Sequence, residues 1–216
     1  MTVVRGNFDF FLLDIDVLLA THERETRGTR GRPSREHDIF KRAALILLVT
    51  AWETFIEDTL NELFTDRLAT AKSPKDIDST FRAVAHSMAD SAKLQPNDLI
   101  AWAGDGWKSQ IRKRFDEEIA SLNTPNSENI QRLFKRYLNN DVTKSWTWQR
   151  TTRKIACERL DSLIRLRGGL VHRSKELFER KDSITKKTLT DAVGVVRRMV
   201  DLTESHFGRG PKQHST

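Results

Sequence analysis

Arg165-Leu166-Arg167-Gly168-Gly169-Leu170-Val171-His172 places two guanidiniums, one imidazole and a Gly-Gly pair inside an otherwise apolar, helix-like run. A guanidinium is a rigid fork of N–H donors that matches phosphate oxygens. An imidazole takes and gives protons near neutral pH. An Arg followed at this spacing by a His is the minimum set for cleaving an RNA backbone without a metal. The spacing also poses a geometric question. On an unbroken helix, residues five apart are separated by roughly 140° around the axis, and residues seven apart by about 20°. Arg165 then shares a face with His172, whereas Arg167 points elsewhere. Either Gly168-Gly169 ends or kinks the helix, or a second copy of the chain packs across it so that each motif completes the other. A two-fold pair also answers a chemical need. Attack by a ribose 2′-OH wants a base to remove its proton and an acid to protonate the departing 5′-oxygen. Two facing copies of His172 supply both, and up to four arginines then offset charge developing on the phosphate.

The charge distribution fits an anionic substrate. In 216 residues, 37 Lys and Arg face 30 Asp and Glu, a formal charge of +7 with a pI near 9.7. Such a surplus favours nucleic acid first and anionic lipid second. It is concentrated: residues 144–181 hold 11 basic and 4 acidic side chains, an excess equal to that of the whole chain. Within that segment Arg150, Arg153, Lys154, Arg173 and Lys175 flank the motif and are the candidate contacts to an RNA backbone.

The elements that must carry these residues read as helices. Phe8, Phe11, Leu12, Ile15, Leu18 and Leu19 recur at helical spacing and predict a helix over 7–21. His22 to His37 reads as a linker with five arginines, either lying along a nucleic-acid backbone or simply solvated. From Asp38 to Ala69, Leu48, Trp52, Phe55, Ile56, Thr59, Leu60, Leu63 and Phe64 line one face, and 43–52 is apolar all round, as in a buried helix. Glu53 is the first charge after that run. Its i+4 line through Glu57 and Asn61 reads by default as a solvated stripe, the other reading being a carboxylate that orients the motif's Arg or His.

Ser73-Pro74 opens a shorter helix near 76–93, and 107–122 is ambiguous between helix and irregular structure. Thr124-Pro125 looks like a cap with Pro at the first helical position, followed by Ile130, Leu133, Phe134, Tyr137 and Leu138. Trp146 and Trp148 either stack bases or close the edge of the core, which their size favours. Thr151 or Thr152 caps the motif helix, which is expected to end near Phe178. A last amphipathic helix starts near Thr185, and 208–216 is expected to be a disordered tail. The reading is all-α, one domain over 1–207.

Other chemistries are set aside. The six histidines are never closer than eight residues, and Cys157 has no companion, so zinc-type spacing is absent and an internal disulfide is excluded. No phosphate-cradling Gly loop or Gly-x-Ser-x-Gly elbow occurs. The lone cysteine suits a reducing cytoplasm. No secretory signal is visible, and the longest uncharged run, Ala43 to Trp52, is ten residues, too short for a bilayer. A soluble cytoplasmic protein with no membrane partner is expected.

The motif, as Arg167-x4-His172 or Arg165-x6-His172 late in an all-α chain, resembles that of the HEPN superfamily. Ala51-Trp-Glu-Thr-Phe-Ile-Glu57, Asn123 to Phe134 and Ser145-Trp-Thr-Trp148 make the chain more specifically similar to the RiboL-PSP-HEPN branch. The resemblance implies a HEPN-like helical bundle with a long central helix and a C-terminal amphipathic helix. It implies a homodimer, no metal or cofactor, and endoribonuclease cleavage leaving a 2′,3′-cyclic phosphate. A role in toxin–antitoxin or antiviral defence, with RNA and an antitoxin or other defence protein as partners, is also implied. Arg167 and His172 take the catalytic positions, Arg165 a supporting one, and Glu53 stands where the family often keeps a glutamate. Gly168 replaces the Asn or other polar residue usual after the Arg. The alternative is a catalytically silent HEPN dimer that binds RNA or a partner protein.

Overall fold

A computed structural model of the chain describes residues 2–28, 35–91, 100–122, 124–172 and 184–209. Seven α-helices are found among the described residues: α1 (Val3–Thr26), α2 (Arg35–Thr70), α3 (Asp78–Ser91), α4 (Gly106–Ala120), α5 (Ser127–Leu138), α6 (Arg153–His172) and α7 (Lys186–His206). None of the helices is long and apolar enough to cross a membrane, among the described residues. The all-α reading is therefore the observed class, and among the described residues only an isolated bridge between Trp148 and Thr151 has β character.

The chain divides into two compact units, 1–56 with 142–216, and 57–141. In the first, α1 buries Val4, Phe8, Leu12 and Ile15, with Phe8 tilted against Phe55 of α2 at 5.8 Å. The apolar run of α2 does what its composition requires: Ala44, Leu45, Leu48, Val49, Ala51 and Trp52 are all buried. Trp52 meets Trp146 edge-on at 5.5 Å. Trp146 donates its indole N–H to Thr203 on α7 at 3.0 Å, so this aromatic belongs to the core. Arg5 ties the ends of α1 and α7 together, donating to Asp9 at 3.0 Å, Asp201 at 2.6 Å and Glu204 at 3.2 Å.

Three sequence expectations shift here. Residues 22–26, expected to begin a linker, continue α1 instead, because His22 is buried beside Asp38 and Lys41 of α2. The rest of that linker from 29 to 34 lies outside the described residues. The ambiguous stretch 107–122 is helical as α4; its Trp107, Ile111 and Phe115 form a buried face. The cap of α5 is Asn126, not Thr124: its side chain accepts the N–H of Asn129 at 2.8 Å, which leaves Pro125 ahead of the helix.

Neither ring nitrogen of His22 has a partner among the described residues. Burial, and then the neighbouring Lys41 charge, hold its pKa below the usual histidine value. His37 and Lys186 push the same way, and Asp38 opposes them. A depressed folded-state pKa gives stability that is present above the unfolded value, about 6.5, and is lost as pH falls through the folded one. The thermal midpoint should therefore drop as pH falls below about 6.5, and His22→Leu should flatten that drop. An unchanged pH profile in the variant would show the loss to come from other groups.

The second unit is built on an aromatic trio, Phe64, Phe115 and Tyr137, at 4.5–5.0 Å. The last turn of α5 is satisfied from outside: Thr80 donates to the Arg136 carbonyl and Arg67 to the Tyr137 carbonyl, each at 2.7 Å. Gly106 is required where it stands, since a Cβ there would collide with the Ala101 carbonyl.

Candidate functional site

α6 carries the motif and packs through Ala156, Leu160, Leu163, Ile164 and Leu170, all buried. It runs unbroken through Gly168-Gly169 to His172. The glycine break, one of the two alternatives that the spacing left open, does not occur before that residue. Each glycine costs a helix roughly 0.5–1 kcal/mol, whereas each large apolar side chain buried nearby gives about 1.5–3 kcal/mol, so packing holds the helix. The expected end near Phe178 lies outside the described residues.

Continuity fixes the directions posed by the sequence. Positions 165 and 172 lie on the same side of the continuous helix, about 10 Å apart along its axis. The His172 side chain itself, with Arg173 and Lys175, lies outside the described residues. Arg165 is exposed and donates Nη2 to Ser162 Oγ at 2.9 Å. This i,i+3 contact could have been read from the sequence and was not.

Arg167 turns toward α2, where its Nη2 meets Glu53 Oε2 at 3.4 Å. Of the proposed site residues, these two are brought together. They are well covered, with side-chain exposures of 31% for Arg167 and 17% for Glu53. Glu53 is thus withdrawn from the solvated stripe that its i+4 line with Glu57 and Asn61 suggested. The pairing is incomplete: Arg167 Nε and Glu53 Oε1 are buried without a hydrogen-bond partner among the described residues. Burial pushes the Glu53 carboxyl above the ordinary carboxylate range, with the Arg167 charge opposing. Half-satisfied, partly buried charges of this kind concentrate at functional sites.

The flanking cations are spread along the start of α6. Arg150 is exposed in a left-handed backbone conformation, φ 61°, at the tip of the small turn closed by Trp148 and Thr151. Arg153 donates Nε to Thr143 Oγ1 at 2.9 Å, which fixes it locally. Lys154 is almost fully exposed, 3.9 Å from Glu158. Between α6 and α7 lies a groove of about 910 Å³, lined among others by Trp148, Ile155, Arg159, Leu166 and Val195. Trp148 is therefore half-exposed on a groove wall, unlike Trp146.

A family model described as RiboL-PSP-HEPN matches residues 12–209 of the chain. No curated protein and no solved structure matches it.

Proposed function

The chain belongs to the RiboL-PSP-HEPN family, and from that membership we propose that it is a metal-independent endoribonuclease acting as a homodimer. The observation that carries the reading is the pairing of Arg167 with Glu53 at 3.4 Å on the helix that also carries His172. Arg167 is held at one place by a carboxylate while its side chain keeps 31% exposure, and that exposed part would meet a phosphate oxygen. Arg165, exposed on the His172 side of α6, supports from the strand-facing surface. Arg150, Arg153 and Lys154 supply positive charge for the RNA backbone, extended by Arg173 and Lys175 in sequence.

In the proposed reaction one His172 imidazole removes the proton from a ribose 2′-OH. The 2′-oxygen then attacks the adjacent phosphorus, and the bond from phosphorus to the 5′-oxygen breaks. The imidazolium of His172 from a second copy gives its proton to that leaving oxygen. The products are a 2′,3′-cyclic phosphate and a free 5′-OH. The arginines offset the charge that develops on the non-bridging oxygens. A defence setting, as a toxin held by an antitoxin or as an antiviral nuclease in the cytoplasm, is part of the same proposal.

The test uses single-stranded RNA and single-stranded DNA of one sequence, in the presence of a chelator. RNA should be cut, leaving cyclic phosphate ends, and DNA should remain intact for want of the nucleophile. Cleavage of both, or cleavage that appears only on adding a divalent cation, would remove this mechanism. A silent RNA-binding dimer is the second reading. It is favoured by Gly168, which brings no hydrogen-bonding side chain to the site and whose added Cβ would meet nothing within 4 Å.

A further inference from the structure

α1 is apolar on two opposite faces. One is buried in its own unit through Val4, Phe8, Leu12 and Ile15. The other consists of Val3 at 76% exposure, Phe10 at 66%, Leu13 at 62% and Val17 at 63%. Spacings of 7, 3 and 4 put these four on one narrow line, and Gly6 and Ala20 continue it without a charge. That is the period of a helix–helix seam. Single exposed apolar residues need no explanation, but a contiguous line of them marks an interaction surface.

The edges of the stripe decide what fits it. At about 100° per residue, Asp14 falls on one edge and Asp9, Asp16 and Glu23 on the other. Asp9 is engaged by Arg5 and Glu23 by Lys186, while Asp14 and Asp16 are exposed. A chain of net charge +7 thus shows an acid-edged apolar line here. A second α1 fits badly. Antiparallel pairing that mates Val3 with Ala20 and Phe10 with Leu13 sets Asp9 opposite Asp16, and parallel pairing sets Asp9 beside Asp14. Like charges at such positions destabilise. An anionic membrane surface is repelled by the same carboxylates.

We infer that the outward face of α1 is a docking surface for a partner protein's amphipathic helix, with an apolar seam edged by Lys or Arg. The seam residues would fill the line from Val3 to Val17, and the basic edges would meet Asp14 and Asp16. This surface does not depend on the nuclease reading.

The probe is a synthetic helix of about three heptads with Leu at the seam positions and Lys at both edges, beside a sister peptide with Glu edges. Each is titrated against the full chain by fluorescence anisotropy. The Lys-edged peptide should bind at least about tenfold more tightly than its sister, a difference of about 1.4 kcal/mol. Phe10→Glu/Leu13→Glu should lose that binding, and Asp14→Lys/Asp16→Lys should reverse the preference. The melting midpoints of both variants should stay near wild type, because all four side chains are exposed. If the first pair is poorly folded, the charge reversal alone decides. Equal binding of the two peptides would overturn the inference, as would undiminished binding to a folded Phe10→Glu/Leu13→Glu variant. So would self-association or binding to zwitterionic vesicles that this variant abolishes.

Discussion

Replacing His172 by alanine is expected to lower the rate of RNA cleavage by at least about 10³-fold. One general acid or base contributes about 10²–10⁴, and in a homodimer the substitution removes base and acid together. His172 is the last described residue of α6 and its backbone continues an already packed helix, so the thermal midpoint and the proposed dimer should persist. Cleavage at the wild-type rate would dismiss the imidazole from the chemistry.

The two arginines separate in the same assay. Arg167→Ala should cost about 10²–10³, the range for losing a group that stabilises transition-state charge. Arg165→Ala, on a side chain that already bonds Ser162, should cost no more than about tenfold, roughly one charge-assisted hydrogen bond. The reverse order would assign the phosphate to Arg165. Glu53→Gln serves as the control on positioning. The folded-state pKa of Glu53 is raised, so its stability contribution is present below the ordinary carboxylate value and lost as pH rises through the raised one. The variant should therefore be no less stable than wild type at neutral pH while cutting more slowly, since Arg167 loses its tether. Low stability at neutral pH would make the pair structural.

The second large effect is on the fold. Trp146→Ala should cost about 3–5 kcal/mol. The indole is fully buried, stands edge-on to Trp52, and donates to the buried Thr203 hydroxyl. Set against a total of about 5–15 kcal/mol for a domain, that loss leaves a substantial unfolded population, read as a lower denaturant midpoint. Trp146→Phe keeps most of the packing and should cost about 1–2 kcal/mol, chiefly the lost hydrogen bond. Trp148→Ala, on a half-exposed ring, should be milder than either. A Trp146→Ala variant as stable as wild type would contradict the core assignment.

The helices were legible because their signal is local. Phe8, Leu12 and Ile15 were separable from Phe10 by spacing alone, and all three are buried. The α2 face from Leu48 to Phe64 was read the same way, and only Leu63 among those residues is less than fully covered or nearly so. Boundaries were less legible. His22 looked like the start of a linker because its six-residue neighbourhood is polar, yet contact with α2 keeps it helical. Asn126 rather than Thr124 caps α5 because the cap is decided by which side chain reaches a free N–H.

The RiboL-PSP-HEPN family, the all-α class and the position of the Arg-His motif were determined by the sequence itself, since periodicity and motif spacing are properties of neighbouring residues. Tertiary structure alone decided that Glu53 leaves the solvated stripe for Arg167, a partner 114 residues away. It alone decided that α6 stays helical through two glycines. It also left the second apolar face of α1 uncovered. A charge at i+4 spacing, a glycine pair and an apolar line look the same in a chain whether or not another element is packed on them. Their meaning depends on what burial has already claimed.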